Sequence, residues 1–190
     1  YPRGGGLVTL KTAPIDKIST LNIEMRGQVR RISGIAHAVK LPKHVVERIV
    51  SSAKEALYQH GYREVEITEE WSPNDHMGPG AGITLFADAK TILGADSLGE
   101  RGKRSERVGK EAAERLIHEL KTKMAFDAHM GDMVVPYLAL AGGSSLIGVS
   151  KYTLHTESNL WLTKQILGAS YEVIKKEDGS AKISVRGVGI

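Results

Sequence analysis

The sequence predicts an α/β (α+β) fold, and three observations carry that prediction. Two stretches place apolar residues at helical spacing: Val45, Val46, Ile49, Val50, Ala53, Ala56 and Leu57 in one, and Val108, Ala112, Ala113, Leu116, Ile117 and Leu120 in the other. Shorter segments alternate apolar and polar residues, as half-buried strands do. Connectors bearing glycine, proline, asparagine or aspartate separate these segments.

Composition narrows the class further. A chain of 190 residues with 41% hydrophobic content can bury one sizeable core or two small ones without a disulfide or structural metal. With no cysteine there is no disulfide framework, no thiolate catalysis and no Cys-based zinc site. No run of about 18 uncharged apolar residues occurs and the opening resembles no signal peptide, so a soluble, cytoplasmic protein without a membrane partner is expected. The net charge of +4 suits ordinary solubility as well as nucleic acid, and only its local clustering is informative. The opening PRGGG runs straight into an alternating segment, from which we expect a portion of a longer protein.

In chain order, Leu7 to Thr12 and Leu21 to Met25 alternate and are expected as two strands, joined through Pro14 and Asp16. Gly4 to Gly6 read as a permissive turn; no helix follows them as a phosphate-binding P-loop requires. Val29 to Leu41 is a long strand-like run interrupted by Gly34, and Pro42 suits the first turn of a helix reaching His60 and stopping at Gly61. Glu64 to Thr68 is a strand with Val65 and Ile67 on one face, and Trp71 to Gly82 has loop composition. Ile83 to Ala89 and Thr91 to Leu93 read as paired strands.

Gly99 to Arg107 holds Arg101, Lys103, Arg104 and Arg107 in a glycine-punctuated loop entering a helix near Ser105 and ending about Thr122. Such a cluster is either a solvated face or a phosphate-contacting surface. Asp127 is placed to cap a helix over Met130 to Ala141. Pro136 inside it costs about 3 kcal/mol, which predicts a kink or a late start. Leu146 to Val149 reads as a short strand, Thr156 to Leu167 as a last helix stopped by Gly168, and Tyr171 to Lys176 with Lys182 to Arg186 as a hairpin about Asp178-Gly179.

Among 7 histidines there is no HExxH, no HxH and no cluster with metal-ligand spacing, so no protein-built metal site is expected. Walker A, GxGxxG and GxSxG patterns are also missing. The residues left to carry chemistry are His129, Asp132 and His155. His155 falls where the last helix begins, a position suited to an anionic phosphate. Each of the three also has a plain structural reading, as a surface histidine or a solvent-facing aspartate, and periodicity leaves the choice open.

The blocks PRGGG, LPKHVVER, GERG with VGKEAAERL, HMGDMVVPYLALAGG and TLHTESNL occur in an order that resembles the RNA 3′-terminal phosphate cyclase family, and they extend over nearly the whole chain. The resemblance implies the C-terminal portion of such a protein, archaeal-like or related. It implies a large domain of repeated units, each a four-stranded sheet with helices on one face, interrupted by a smaller inserted α/β domain. Residues 31–125 would be the insert, and residues 1–30 with 126–190 would belong to the large domain.

The same resemblance makes His155 the catalytic residue, a nucleophile that takes AMP from ATP before the RNA 3′-terminal phosphate is closed to a 2′,3′-cyclic phosphate. It assigns nucleotide contact to His129, Met130, Gly131, Asp132 and Met133, and implies ATP with a divalent metal, Mg²⁺ or Mn²⁺. It also implies two partners: an RNA bearing a 3′-terminal phosphate, and the N-terminal portion of the same protein. The family commonly has Asp-Gln where this chain has Asp132-Met133, and its N-terminal glycine-rich and arginine contacts have no counterpart here. The alternative from another class is a non-catalytic cyclase-like protein in RNA binding or ribosome assembly, whose members lack the nucleophilic histidine. A plain RNA-binding module using the basic cluster is a third reading.

Overall fold

The computed structural model describes residues 7–74 and 78–189; the expected turn at Gly4 to Gly6, and His76, lie outside them. In chain order the elements are β1 (Asn22–Ile23), β2 (Arg31–Val39), α1 (His44–Gln59), β3 (Val65–Ser72), β4 (Gly80–Asp88), β5 (Ile92–Leu98), α2 (Ser105–Lys121), α3 (Ala128–Leu140), β6 (Ser144–Val149), α4 (Leu154–Leu167), β7 (Ser170–Lys175) and β8 (Ala181–Arg186). They build two four-stranded sheets, ordered β3-β2-β4-β5 and β1-β6-β8-β7. The mixed α/β class follows directly. The chain divides into two compact units, one from Val29–Asp88 and Gly94–His118 with residues 7–11, the other from Thr12–Gln28, Ala89–Leu93 and residues 119–189.

In the first unit β2 lies between a parallel β3 and an antiparallel β4. Its alternation sends Ile32, Ala36 and Ala38 to one fully buried face. The apolar stripe of α1 (Val46, Ile49, Val50, Ala53, Ala56, Leu57) and that of α2 are buried as their spacing predicts. Gly109 lets the two helices meet: a Cβ there would collide with the Ile49 carbonyl oxygen and the Ser52 hydroxyl.

Three expectations change in this half of the chain. Leu7 to Thr12 is not a strand, and Leu7 and Val8 are both exposed, at 91% and 94%. Alternation sets which way side chains point, but a strand also needs a neighbour for its N–H and C=O groups, and among the described residues none lies alongside this segment. Gly34 does not interrupt β2, because its backbone sits in register with Ile67 on one side and Leu85 on the other. The loop expected from Trp71 to Gly82 is shorter, since β2 carries its pairing on to Ser72 in β3 and to Gly80 in β4. Trp71 is further held by its indole N–H donating to the Leu41 carbonyl at 2.9 Å.

In the second unit β1 is parallel to β6, and β8 is antiparallel to both β6 and β7. The core joins Phe126, Val135, Leu138 and Ala139 to Ile147, Val149, Leu160, Ile183 and Val185. α3 and α4 pack against each other and against this sheet. The β7–β8 hairpin turns where Asp178-Gly179 predicts, with Asp178 Oδ1 accepting from the Ser180 amide at 2.9 Å and the Ser180 hydroxyl at 2.6 Å.

Here too the sequence expectation is adjusted. α3 starts at Ala128 and runs through Pro136 without a break. α4 starts at Leu154, so His155 is its second residue and does not precede it.

Candidate active site

The site is assembled from the first turns of α3 and α4. Asp127, 8% exposed, caps α3 by accepting from the Met130 amide at 2.8 Å. Glu119, at the end of α2, accepts from the Ala128 amide at 3.3 Å and also from the Ser150 hydroxyl. One carboxylate therefore holds the start of α3 and the chain leaving β6 toward α4. Its negative charge near the N-terminus of α3 is favourable with the helix dipole.

Thr153 caps α4 in a reciprocal box. Its Oγ1 accepts from the Thr156 amide at 3.0 Å, while Thr156 Oγ1 accepts from the Thr153 amide at 3.3 Å. Each hydroxyl keeps its proton for a third group, and both protons go to one atom. Thr153 Oγ1 and Thr156 Oγ1 each donate to Asp132 Oδ1 at 2.5 Å. Asp132 of α3 thus grips the turn that carries His155, and the imidazole of His155 stands exposed within that turn.

The other predicted residues divide by face. His129, Asp132 and Met133 lie at helical neighbour spacing on α3. His129, Met130 and Met133 are exposed, Met133 at 66%. Gly131 points the other way: it is buried, and a Cβ there would lie 2.8 Å from Val149 Cγ1, so it serves the seating of α3 on β6. Sequence reasoning missed Thr153, Thr156, Asn159 and Glu119. The Thr153-x-x-Thr156 spacing, a capping pattern, is a signal by which the first two could have been found.

The basic segment is partly neutralised by its own unit. Lys103 Nζ, with its side chain 14% exposed, lies 2.5 Å from Glu111 Oε2, and Arg107 Nε lies 2.7 Å from Glu111 Oε1. The hydrogen bond from Lys103, then that from Arg107, lowers the Glu111 pKa to about 2. Arg101 and Arg104 remain exposed. Among the described residues no group of three His, Cys, Asp or Glu side chains is placed to hold a metal ion, so the residues present do not fit a protein-built metal cage. Nor is any helix among them long and apolar enough to cross a membrane.

Residues 24–121, more than half of the chain, match the family model of the RNA 3′-terminal phosphate cyclase insert domain. The chain belongs to the RNA 3′-terminal phosphate cyclase family. Among curated cyclases it is 52% identical to a protein of Korarchaeum cryptofilum named RNA 3′-terminal phosphate cyclase, the match covering 100% of this chain and 54% of that one. Proteins of the same name from Staphylothermus marinus and Pyrobaculum aerophilum are 47% and 44% identical, again over 100% of this chain, with 55% and 54% of theirs covered. The chain thus spans about half the length of the curated cyclases it matches.

Proposed function

We propose that the whole protein is an ATP-dependent RNA 3′-terminal phosphate cyclase of the cytoplasm, and that this chain contributes its nucleophile and one wall of its nucleotide site. In this reading residues 31–125 are the inserted domain, while residues 1–30 and 126–190 belong to the large domain. The partners are an RNA with a 3′-terminal phosphate and the remainder of the same protein, which would bring the glycine-rich and arginine contacts that this chain lacks.

His155 Nε2 attacks the α-phosphorus of ATP, the α–β phosphoanhydride breaks, and pyrophosphate leaves with the bonding electrons. The phosphoramidate is reactive enough to pass AMP to the RNA 3′-phosphate. The adjacent ribose 2′-OH then attacks that phosphorus, forming the cyclic phosphate and releasing AMP. A place in the first turn of α4 favours this chemistry, because helix N-terminal amides attract the α-phosphate. His129 is the adenine-facing residue, with Met130, Gly131 and Met133 completing the α3 segment around it, and Asp132 orients the nucleophile's turn. Met133 has no side-chain carboxamide to replace that of the glutamine common in the family. A divalent cation, Mg²⁺ or Mn²⁺, would be carried by the ATP phosphates and water.

The observation that carries this reading is the grip of Asp132 Oδ1 on Thr153 and Thr156, either side of His155. A surface histidine of no consequence needs no such support. The test is incubation of the complete protein with α-labelled ATP and magnesium. Label is expected on the parent chain and none on His155→Ala; equal labelling of the two overturns the assignment, and RNA binding with no AMP uptake by the parent favours the non-catalytic alternative.

A further inference from the structure

Pro136 has no amide hydrogen, so the carbonyl of Asp132, four residues earlier, loses its partner within α3. The vacancy is filled from α4: Asn159 Nδ2 donates to the Asp132 carbonyl oxygen at 2.8 Å. Asp132 is thereby held at both ends, its carboxylate by Thr153 and Thr156 and its carbonyl by Asn159. Asn159 lies four residues after His155, so the two share a face of α4, one turn apart. A proline that by itself weakens α3 has opened a backbone acceptor through which that face of α4 is tied down.

We propose that Asn159 is a positioning residue for His155, and that Pro136 supplies its anchor point by leaving the Asp132 carbonyl free. The proposal rests on the reading of His155 as the nucleophile. Three ties from one aspartate, to residues 153, 156 and 159, leave the first turn and a half of α4 little freedom to rotate about its axis. An in-line attack depends on that rotation, because a displacement of about 1 Å in a reacting atom costs on the order of 10²-fold in rate. Asn159 would act on the rate of AMP transfer and hardly on ATP affinity.

The experiment compares the complete protein with Asn159→Ala, Pro136→Ala, the double variant and His155→Ala, measuring the rate of AMP uptake from α-labelled ATP at several ATP concentrations and the thermal midpoint of each. Asn159→Ala is expected to lower kcat for AMP uptake roughly tenfold or more while KM for ATP stays within about twofold. Pro136→Ala returns an amide to the Asp132 carbonyl within α3. The double variant should therefore recover the thermal midpoint lost in Asn159→Ala, yet remain slow.

Recovery of both midpoint and rate in the double variant would mean that Asn159 only satisfies a carbonyl, which overturns the positioning role. Uptake at the parent rate by Asn159→Ala, with His155→Ala silent, overturns that role alone. Parental labelling of His155→Ala overturns the nucleophile assignment and the positioning role with it.

Discussion

The hydroxyl of Thr156 donates to Asp132 Oδ1 at 2.5 Å across 24 residues of chain, joining the first turn of α4 to the N-terminal half of α3. Thr153 reaches the same oxygen at the same distance. Hydrogen bonds to a charged acceptor contribute about 1.5–3 kcal/mol each, less where water can substitute. Asp132→Ala should therefore destabilise the protein by about 2 kcal/mol and slow AMP uptake. Urea unfolding followed by circular dichroism, beside the α-labelled ATP assay, measures both. An unchanged midpoint would show that water replaces the carboxylate at no cost.

Glu111 makes a prediction in pH. Its pKa in the folded protein, about 2, is below its ordinary value of 4.5. The stabilisation it gives is complete above about pH 4.5 and is lost as pH falls from there toward 2. In Glu111→Gln that part of the acid dependence should disappear, and the variant should be less stable than the parent at pH 7 but similar to it near pH 2. Thermal unfolding at a series of pH values tests this; parallel curves for the two proteins would remove Glu111 from the acid transition.

With Lys103 and Arg107 paired to Glu111, a phosphate contact by this basic loop would fall to the exposed Arg101 and Arg104. Arg101 and Lys103 line a cavity of about 640 Å³ whose apolar wall includes Leu41, Val45, Ile49 and Val108. Reversing Arg101 and Arg104 to Glu should weaken binding of a 3′-phosphorylated single-stranded RNA. It should also lower the slope of log K against log salt by roughly 1.4, the value for two lost phosphate contacts. Unchanged affinity and slope would take the insert's basic loop out of RNA docking.

Gly109 and Gly131 are sites where adding atoms should be costly for different reasons. Gly109→Val pushes a branched side chain into the backbone of α1, which cannot move aside as a side chain can. Gly131→Val presses on Val149 Cγ1, a side-chain methyl. Overpacking costs about 1–3 kcal/mol, and Gly109→Val should fall at or above the top of that range with Gly131→Val below it. Denaturant midpoints of the two variants would reveal the order, and the reverse order would contradict the packing described.

Much of the fold was legible because it is local. The stripes of α1 and α2, the Asp127 cap of α3 and the Asp178-Gly179 turn each depend on residues within a few positions of one another, and each formed where its spacing predicts. The family blocks were legible for the same reason, being contiguous strings. Leu7 to Thr12 shows the limit: its alternation is real, but pairing is a property of two strands.

The chain alone determined which helix faces are apolar and where the Asp127 cap and the Asp178-Gly179 turn fall, and it singled out His129, Asp132 and His155 as the candidates for chemistry. The tertiary structure alone decided what Asp132 does. Its partners Thr153, Thr156 and Asn159 are 21, 24 and 27 residues away, and no periodicity relates them. The same holds for Pro136, which in sequence reads as a defect of α3 and in the fold is what frees a carbonyl for α4. Hydrogen bonds between elements are set by where packing places those elements, and packing is the sum of contacts over the whole core, so single residues in sequence do not announce their partners.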